Sequence, residues 1–163
     1  MELYDQEKLK QILVGAKSLA CAYYELTHKP LGVTGEVAEL EAAEKLGLEL
    51  VVARTPLYDA VLQHGSQIKH FQIKGRAVAR SDPYRGRVPS IKHEGNYDAV
   101  LLVLLDRATF ETFEIWEAPR EKVAVRLQAP GSKARNKRGS MAISQFTSIA
   151  VKVWPKAAPI NLI

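Results

Sequence analysis

Asp59, together with Gln72 and Lys74 in the stretch HFQIKGR, supplies the residue types that phosphoryl chemistry uses. The stretches around them, YDAVLQ and QIKHFQIKGR, read as two strands joined by a short turn at Gly65. Residues two apart on a strand share a face. Gln72 and Lys74 therefore point together, Phe71 and Ile73 turn to the core, and a hairpin brings Asp59 beside the polar pair. One carboxylate, one amide oxygen and one ammonium at a strand end suit a divalent cation and the charge of a water or a phosphate. Each residue also has a plainer role to play. Asp59 suits a turn cap or a pair with Lys74, Gln72 a half-exposed strand, and Lys74 a sheet edge along which its stem snorkels.

The elements that must position these residues follow from periodicity. Leu9, Ile12, Leu13, Ala16, Leu19, Ala20 and Tyr23 recur at helical spacing, predicting a helix over about 5–26. Pro30 and Gly32 break it, and TGEVAELEAAEKLG predicts a second helix capped by Thr34 and ended at Gly47. LELVVAR is an apolar, strand-like run before Asp59. After Lys74 comes a long polar stretch, 80–96, and then the buried strand YDAVLLVLLD with its alternating partner FETFEIWEA. A connection of that length can join parallel strands, which a hairpin cannot. PREKVAVRLQ begins with Pro119 at a helix N1 position, APGSKARNKRGS is a basic loop, and SMAISQFTSIAVKVW predicts a short strand followed by a helix capped at Ser144.

At 163 residues, with 47% hydrophobic content, the expectation is a single α/β domain spanning 1–163. No apolar run approaches the roughly 20 residues that span a bilayer, and the N-terminus lacks a signal-peptide pattern. A cytoplasmic, non-membrane protein is the default expectation. Cys21 is the only cysteine, which leaves no intrachain disulfide and no Cys-based metal site. His28, His64, His70 and His93 lack metal-ligand spacing.

Charge is unevenly spread. Residues 1–64 hold six Lys/Arg against ten Asp/Glu, whereas residues 65–140 hold fifteen against eight. Arg76, Arg80, Arg85, Arg87 and Lys92 follow the lysine strand, and Lys133, Arg135, Lys137 and Arg138 form a second cluster. Such a distribution suits a polyanion, with nucleic acid the commonest one. A merely solvated basic surface is the alternative. The segment LGVTGEVAELEAAEKLGL has the look of a helix-turn-helix, but the five glutamates of residues 34–50 against Lys45 alone do not suit an approach to phosphates.

Laid out this way, the chain resembles the PD-(D/E)XK nuclease superfamily over about residues 33–105. GEVAE lies on the helix before a strand meander, Asp59 on its second strand and QIK on its third. The Gly35-Glu36 helix start is similar to that of Holliday-junction resolvases and Mrr-type enzymes. Gln72 stands where most members have Asp or Glu, although the Mrr-like branch also carries Gln-x-Lys. No helix is evident between the lysine strand and YDAVLLVLL, where the common core has one. The resemblance implies a restriction-endonuclease-like core, with a central mixed β-sheet flanked by helices. It implies that Glu36, Asp59, Gln72 and the Ile73 main-chain carbonyl hold Mg²⁺, with Mn²⁺ as substitute, while Lys74 stabilises developing charge. DNA would be the substrate and a homodimer the active form, since cutting both strands commonly takes two sites. The competing expectations are a non-catalytic nucleic-acid-binding module on the same fold and a protein-interaction adaptor using the acidic N-terminal helices.

Overall fold

The computed structural model describes residues 5–28, 30–51, 58–92, 94–130 and 139–156. Helix α1 (Gln6–Thr27) begins at Asp5, whose side chain accepts from the Lys8 N–H, and ends at His28 in the left-handed region. Helix α2 (Thr34–Leu46) closes at Gly47, where a φ of 67° lets the cap N–H donate to the Ala43 carbonyl. Thr34 is its first helical residue, not its cap. Val33 holds that position and makes no side-chain bond.

Strand β1 (Glu49–Leu50) is short, and β2 (Ala60–His64) and β3 (Gln67–Val78) form the expected hairpin. Gly65 carries the positive φ, 61°, that a tight hairpin turn demands. Strand β4 (Ala99–Asp106) pairs in parallel with β3, so residues 79–98 are the crossover that the polar stretch predicts. The described part of that crossover contains no helix. Strand β5 (Thr112–Pro119) returns antiparallel to β4 and runs into α3 (Arg120–Gln128), with Pro119 at the N-cap and not at N1.

The C-terminal order differs from expectation. A short helix α4 (Ile143–Thr147) comes first, started at Ala142 and not at Ser144. The Gln145 side chain takes the Ala142 N–H at 3.1 Å. Strand β6 (Val151–Trp154) follows and pairs antiparallel with β5. VKVW, β-branched and aromatic, meets an open edge of β5, and the edge decides its state.

The result is one mixed six-stranded sheet in the order β1-β2-β3-β4-β5-β6, flanked by helices. On one face Leu13, Val37, Ala38 and Ala42 of α1 and α2 meet Phe71, Ile73, Leu101 and Val103. On the other, Val88 and Ile91 of the crossover join Leu102, Leu104, Val123 and Phe146. β4 is therefore covered on both faces, which is why its sequence is apolar throughout. α2 lies so close to β3 that a Cβ on Gly75 would stand 2.5 Å from the Ala38 Cβ and 2.6 Å from the Thr34 carbonyl oxygen. Only Gly permits that approach.

The apolar face expected of α1 is split. Leu13 and Ala20 are buried, but Ile12 and Leu19 are 54% and 65% exposed, because only a narrow seam of the helix meets α2. A buried ion pair ties the two helices together: Glu41 lies 2.8 Å from Lys17 and 3.0 Å from Lys45. Burial pushes the Glu41 carboxyl up, but hydrogen bonding to its neighbours, Lys17 foremost, carries it below the usual carboxylate range. Among the described residues no helix is long and apolar enough to cross a membrane.

Candidate active site

Asp59 sits immediately before β2, where the β2–β3 ladder stops. Its N–H donates to the Phe71 carbonyl at 2.7 Å and its own carbonyl accepts from Val51 at 3.1 Å. The next amide along β3 is Ile73, and the Asp59 carboxylate takes it: Ile73 N–H donates to Oδ2 at 2.6 Å. The side chain thus satisfies a strand edge that backbone no longer pairs. In an antiparallel ladder, the N–H and C=O of one residue point to the same side. The Ile73 carbonyl consequently faces the edge on which the carboxylate lies.

Lys74 follows on the opposite face of β3, partly buried. Burial lowers its pKa, Asp59 opposes that change, Lys92 reinforces it and Glu39 opposes it, leaving the ammonium below its ordinary value. The negative counterpart is Glu39, partly buried on α2. Burial, then the charges of Asp59 and Glu36, raise its pKa to about 7, with Lys74 pulling the other way. Glu36, one turn earlier, is exposed and enters this group through its charge on Glu39. Asp59, Lys74 and Glu39 therefore form one electrostatic unit at the point where β3 loses its partner.

Gln72 departs from the expected arrangement. It shares the face of Lys74, as alternation requires, but only 4% of it is exposed. The crossover folds over it, and its Oε1 accepts from the Lys92 backbone N–H at 3.3 Å. The amide that sequence alone leaves half-exposed is thus a buried tie between β3 and the crossover. His70, two residues earlier, also has structural partners: Asp98 takes its backbone N–H at 2.7 Å and its Nδ1 lies 3.2 Å from the same carboxylate oxygen. Among the described residues, no group of three or more His, Cys, Asp or Glu side chains has the arrangement of a metal site.

The basic residues divide by task. Arg76 donates through Nε to the Arg87 carbonyl at 2.7 Å, and Arg87 reaches Ser140 Oγ and its carbonyl at 3.1 and 2.8 Å. These two arginines pin the crossover to β3 and to the segment before α4. Arg80 lies over the Phe113 ring, 5.2 Å from its centroid. Arg85 and Lys92 are exposed. Lys133, Arg135, Lys137 and Arg138 fall outside the described residues.

The sequence points to Glu36, which opens the helix motif. One helical turn later Glu39 is the more buried of the two and the one whose titration Asp59 and Lys74 influence. Arg107 went unnoticed. Its N–H donates to the Val78 carbonyl at 2.9 Å, which brings it beside Arg76, and only the β3–β4 register could reveal that. No family model matches this chain, and no curated protein does.

Proposed function

We propose that the chain is a metal-dependent DNA endonuclease with a restriction-endonuclease-like core of the PD-(D/E)XK type. The observation that carries the reading is the group at the end of β2. An Asp59 carboxylate fixed by the Ile73 amide at 2.6 Å, a partly buried Lys74, and a Glu39 carboxyl on α2 raised to about 7 by burial and then by the charges of Asp59 and Glu36 act on one another. Uncompensated acid of this kind favours a cation, and hard oxygen donors suit Mg²⁺. Asp59, Glu39 and the Ile73 carbonyl are the donors that fit, with Glu36 in reserve; Mn²⁺ would serve as substitute. When bound, the ion would lower the pKa of an attacking water and offset phosphate charge. Lys74 would hold its ammonium against the phosphate oxygens as negative charge accumulates there. Water oxygen would bond to phosphorus, the bridging P–O bond would break, and the departing oxygen would take up a proton. The basic crossover would carry the DNA backbone, and a homodimer would present one site to each strand.

One observation favours a second reading, a nucleic-acid-binding protein without cleavage. The Gln72 amide oxygen is engaged by Lys92, which removes it from the donor set that the resemblance implies. Nicking of plasmid and branched DNA with Mg²⁺ or Mn²⁺, against an EDTA control, decides between them. The nuclease reading expects cleavage by wild type and none by Asp59→Asn or Lys74→Ala. Salt-sensitive DNA binding with no cleavage by wild type gives the second reading instead.

A further inference from the structure

A second basic feature lies at the far end of β3, away from Asp59. There a cavity of about 280 Å³ opens between the strand end, the crossover and the end of α1, lined by Arg76, Arg85, Arg107 and His28. Arg76 comes from β3, Arg85 from the crossover and Arg107 from the turn after β4, so three separate segments converge on it. Each is fixed by backbone or side-chain bonds. Arg76 Nε is held by the Arg87 carbonyl, the Arg107 N–H by Val78, and the Arg85 N–H donates to Asp82 at 3.4 Å. Among the described residues, no carboxylate lines the cavity. Among the described residues, none of the three guanidiniums lies within ion-pairing distance of one.

We infer that this cavity is a receptor for a terminal phosphate group, a phosphomonoester dianion at the end of a nucleic-acid strand. Three arginines without a counter-charge match a dianion better than the single charge of a diester, and guanidinium forks suit phosphate oxygens. α1 ends here, and its C-terminal carbonyls amount to roughly half a negative charge. Three full positive charges outweigh it. The volume is below the roughly 300–1,000 Å³ of drug-sized sites, which fits a phosphoryl group with its first sugar. Arg76 also shares the face of Lys74 two residues away, about 7 Å along the strand. An end seated here would lead its chain along the face of Lys74. The inference does not depend on cleavage, because the cavity and its charges stand apart from the carboxylates.

The test is fluorescence anisotropy in EDTA, where no cleavage occurs. Short 3′-labelled DNA strands bearing either a 5′-phosphate or a 5′-hydroxyl are compared, with inorganic phosphate and a phosphoserine peptide as competitors. Charge-assisted hydrogen bonds lead us to expect at least about tenfold tighter binding of the phosphorylated strand. Arg85→Gln and Arg107→Gln, both at exposed positions, should each remove most of that preference, while Lys122→Ala on α3 leaves it intact. Circular dichroism confirms that each variant is folded. Equal affinity for the two strands overturns the proposal, as does a preference that survives both arginine variants. A phosphopeptide that competes as well as the phosphorylated strand overturns it in favour of a protein ligand, and competition by inorganic phosphate without any strand preference marks a general anion site only.

Discussion

Replacing Glu39 with Gln tests the electrostatic unit at the β2 end without touching its hydrogen-bonded core. The native carboxyl titrates at about 7, against 4.5 for an unperturbed one. Between those values the folded chain holds a proton that the unfolded chain has released, so stability falls as pH rises through that window. At about 1.4 kcal/mol for each tenfold change in proton affinity, the full effect is about 3 kcal/mol. Partial exposure of Glu39 reduces this to roughly 1–3 kcal/mol. Gln resembles the protonated acid in shape and cannot ionise. Urea unfolding at pH 5 and pH 8 should therefore find the Glu39→Gln variant close to wild type at pH 5 and more stable at pH 8. Addition of Mg²⁺ at pH 8 should narrow that gap by stabilising wild type alone, since a bound cation offsets the repulsion among Glu39, Asp59 and Glu36. A wild-type stability that does not fall between pH 5 and pH 8 relative to the variant refutes the electrostatic coupling. A gap that is present but indifferent to Mg²⁺ leaves the coupling standing and removes the cation.

Asp59→Asn retains an oxygen for the Ile73 N–H but loses the charge, so folding should hold while the Glu39 titration, followed by carboxyl NMR, moves back toward 4.5. Asp59→Ala strands that amide and should cost about 1–3 kcal/mol in denaturant unfolding. Ile73→Ala, at a site only 4% exposed, should cost about 2–5 kcal/mol, whereas Lys74→Ala should stay within about 1 kcal/mol; equal losses would contradict the assignment of the two strand faces. Gly75→Ala should lower the denaturation midpoint by about 1–3 kcal/mol equivalent, because α2 must move off β3 to admit the methyl group. Lys17→Ala removes one of the two cations on buried Glu41 and leaves Lys45 beside it, so thermal unfolding should show a clear loss that stays below the roughly 3–5 kcal/mol seen when a buried charge is left without any partner.

The hairpin and the parallel crossover were legible because their signals are local. Period-two alternation with a turn glycine describes β2 and β3, and an uninterrupted apolar run describes a strand covered on both faces. The C-terminal segment was not legible for the opposite reason. VKVW is rich in strand-favouring residues, but a run of four directly after a helical pattern stays ambiguous until the free edge of β5 is placed beside it, and that edge is a fact of tertiary structure. The same limit explains α1. Ile12 and Leu19 satisfy helical periodicity as well as Leu13 does, yet periodicity cannot say how wide a strip the neighbouring helix will cover.

At the candidate site the division is finer, because alternation placed the side chains on the right faces without saying what lies against each face. Gln72 and Lys74 do share a side of β3, but the crossover covers the first and spares much of the second. A buried Gln72 whose oxygen meets the Lys92 amide is a structural residue wherever it occurs. Lys74 has no such partner among the described residues, and its opposing charges are Asp59 and Glu39. The same reasoning separates the two carboxylates. Asp59 is held by a backbone bond that any strand end could use. Glu39 has no hydrogen bond among those described that would explain an acid kept beside two others at a cost in stability, and a cation is the simplest agent that would turn that cost into binding.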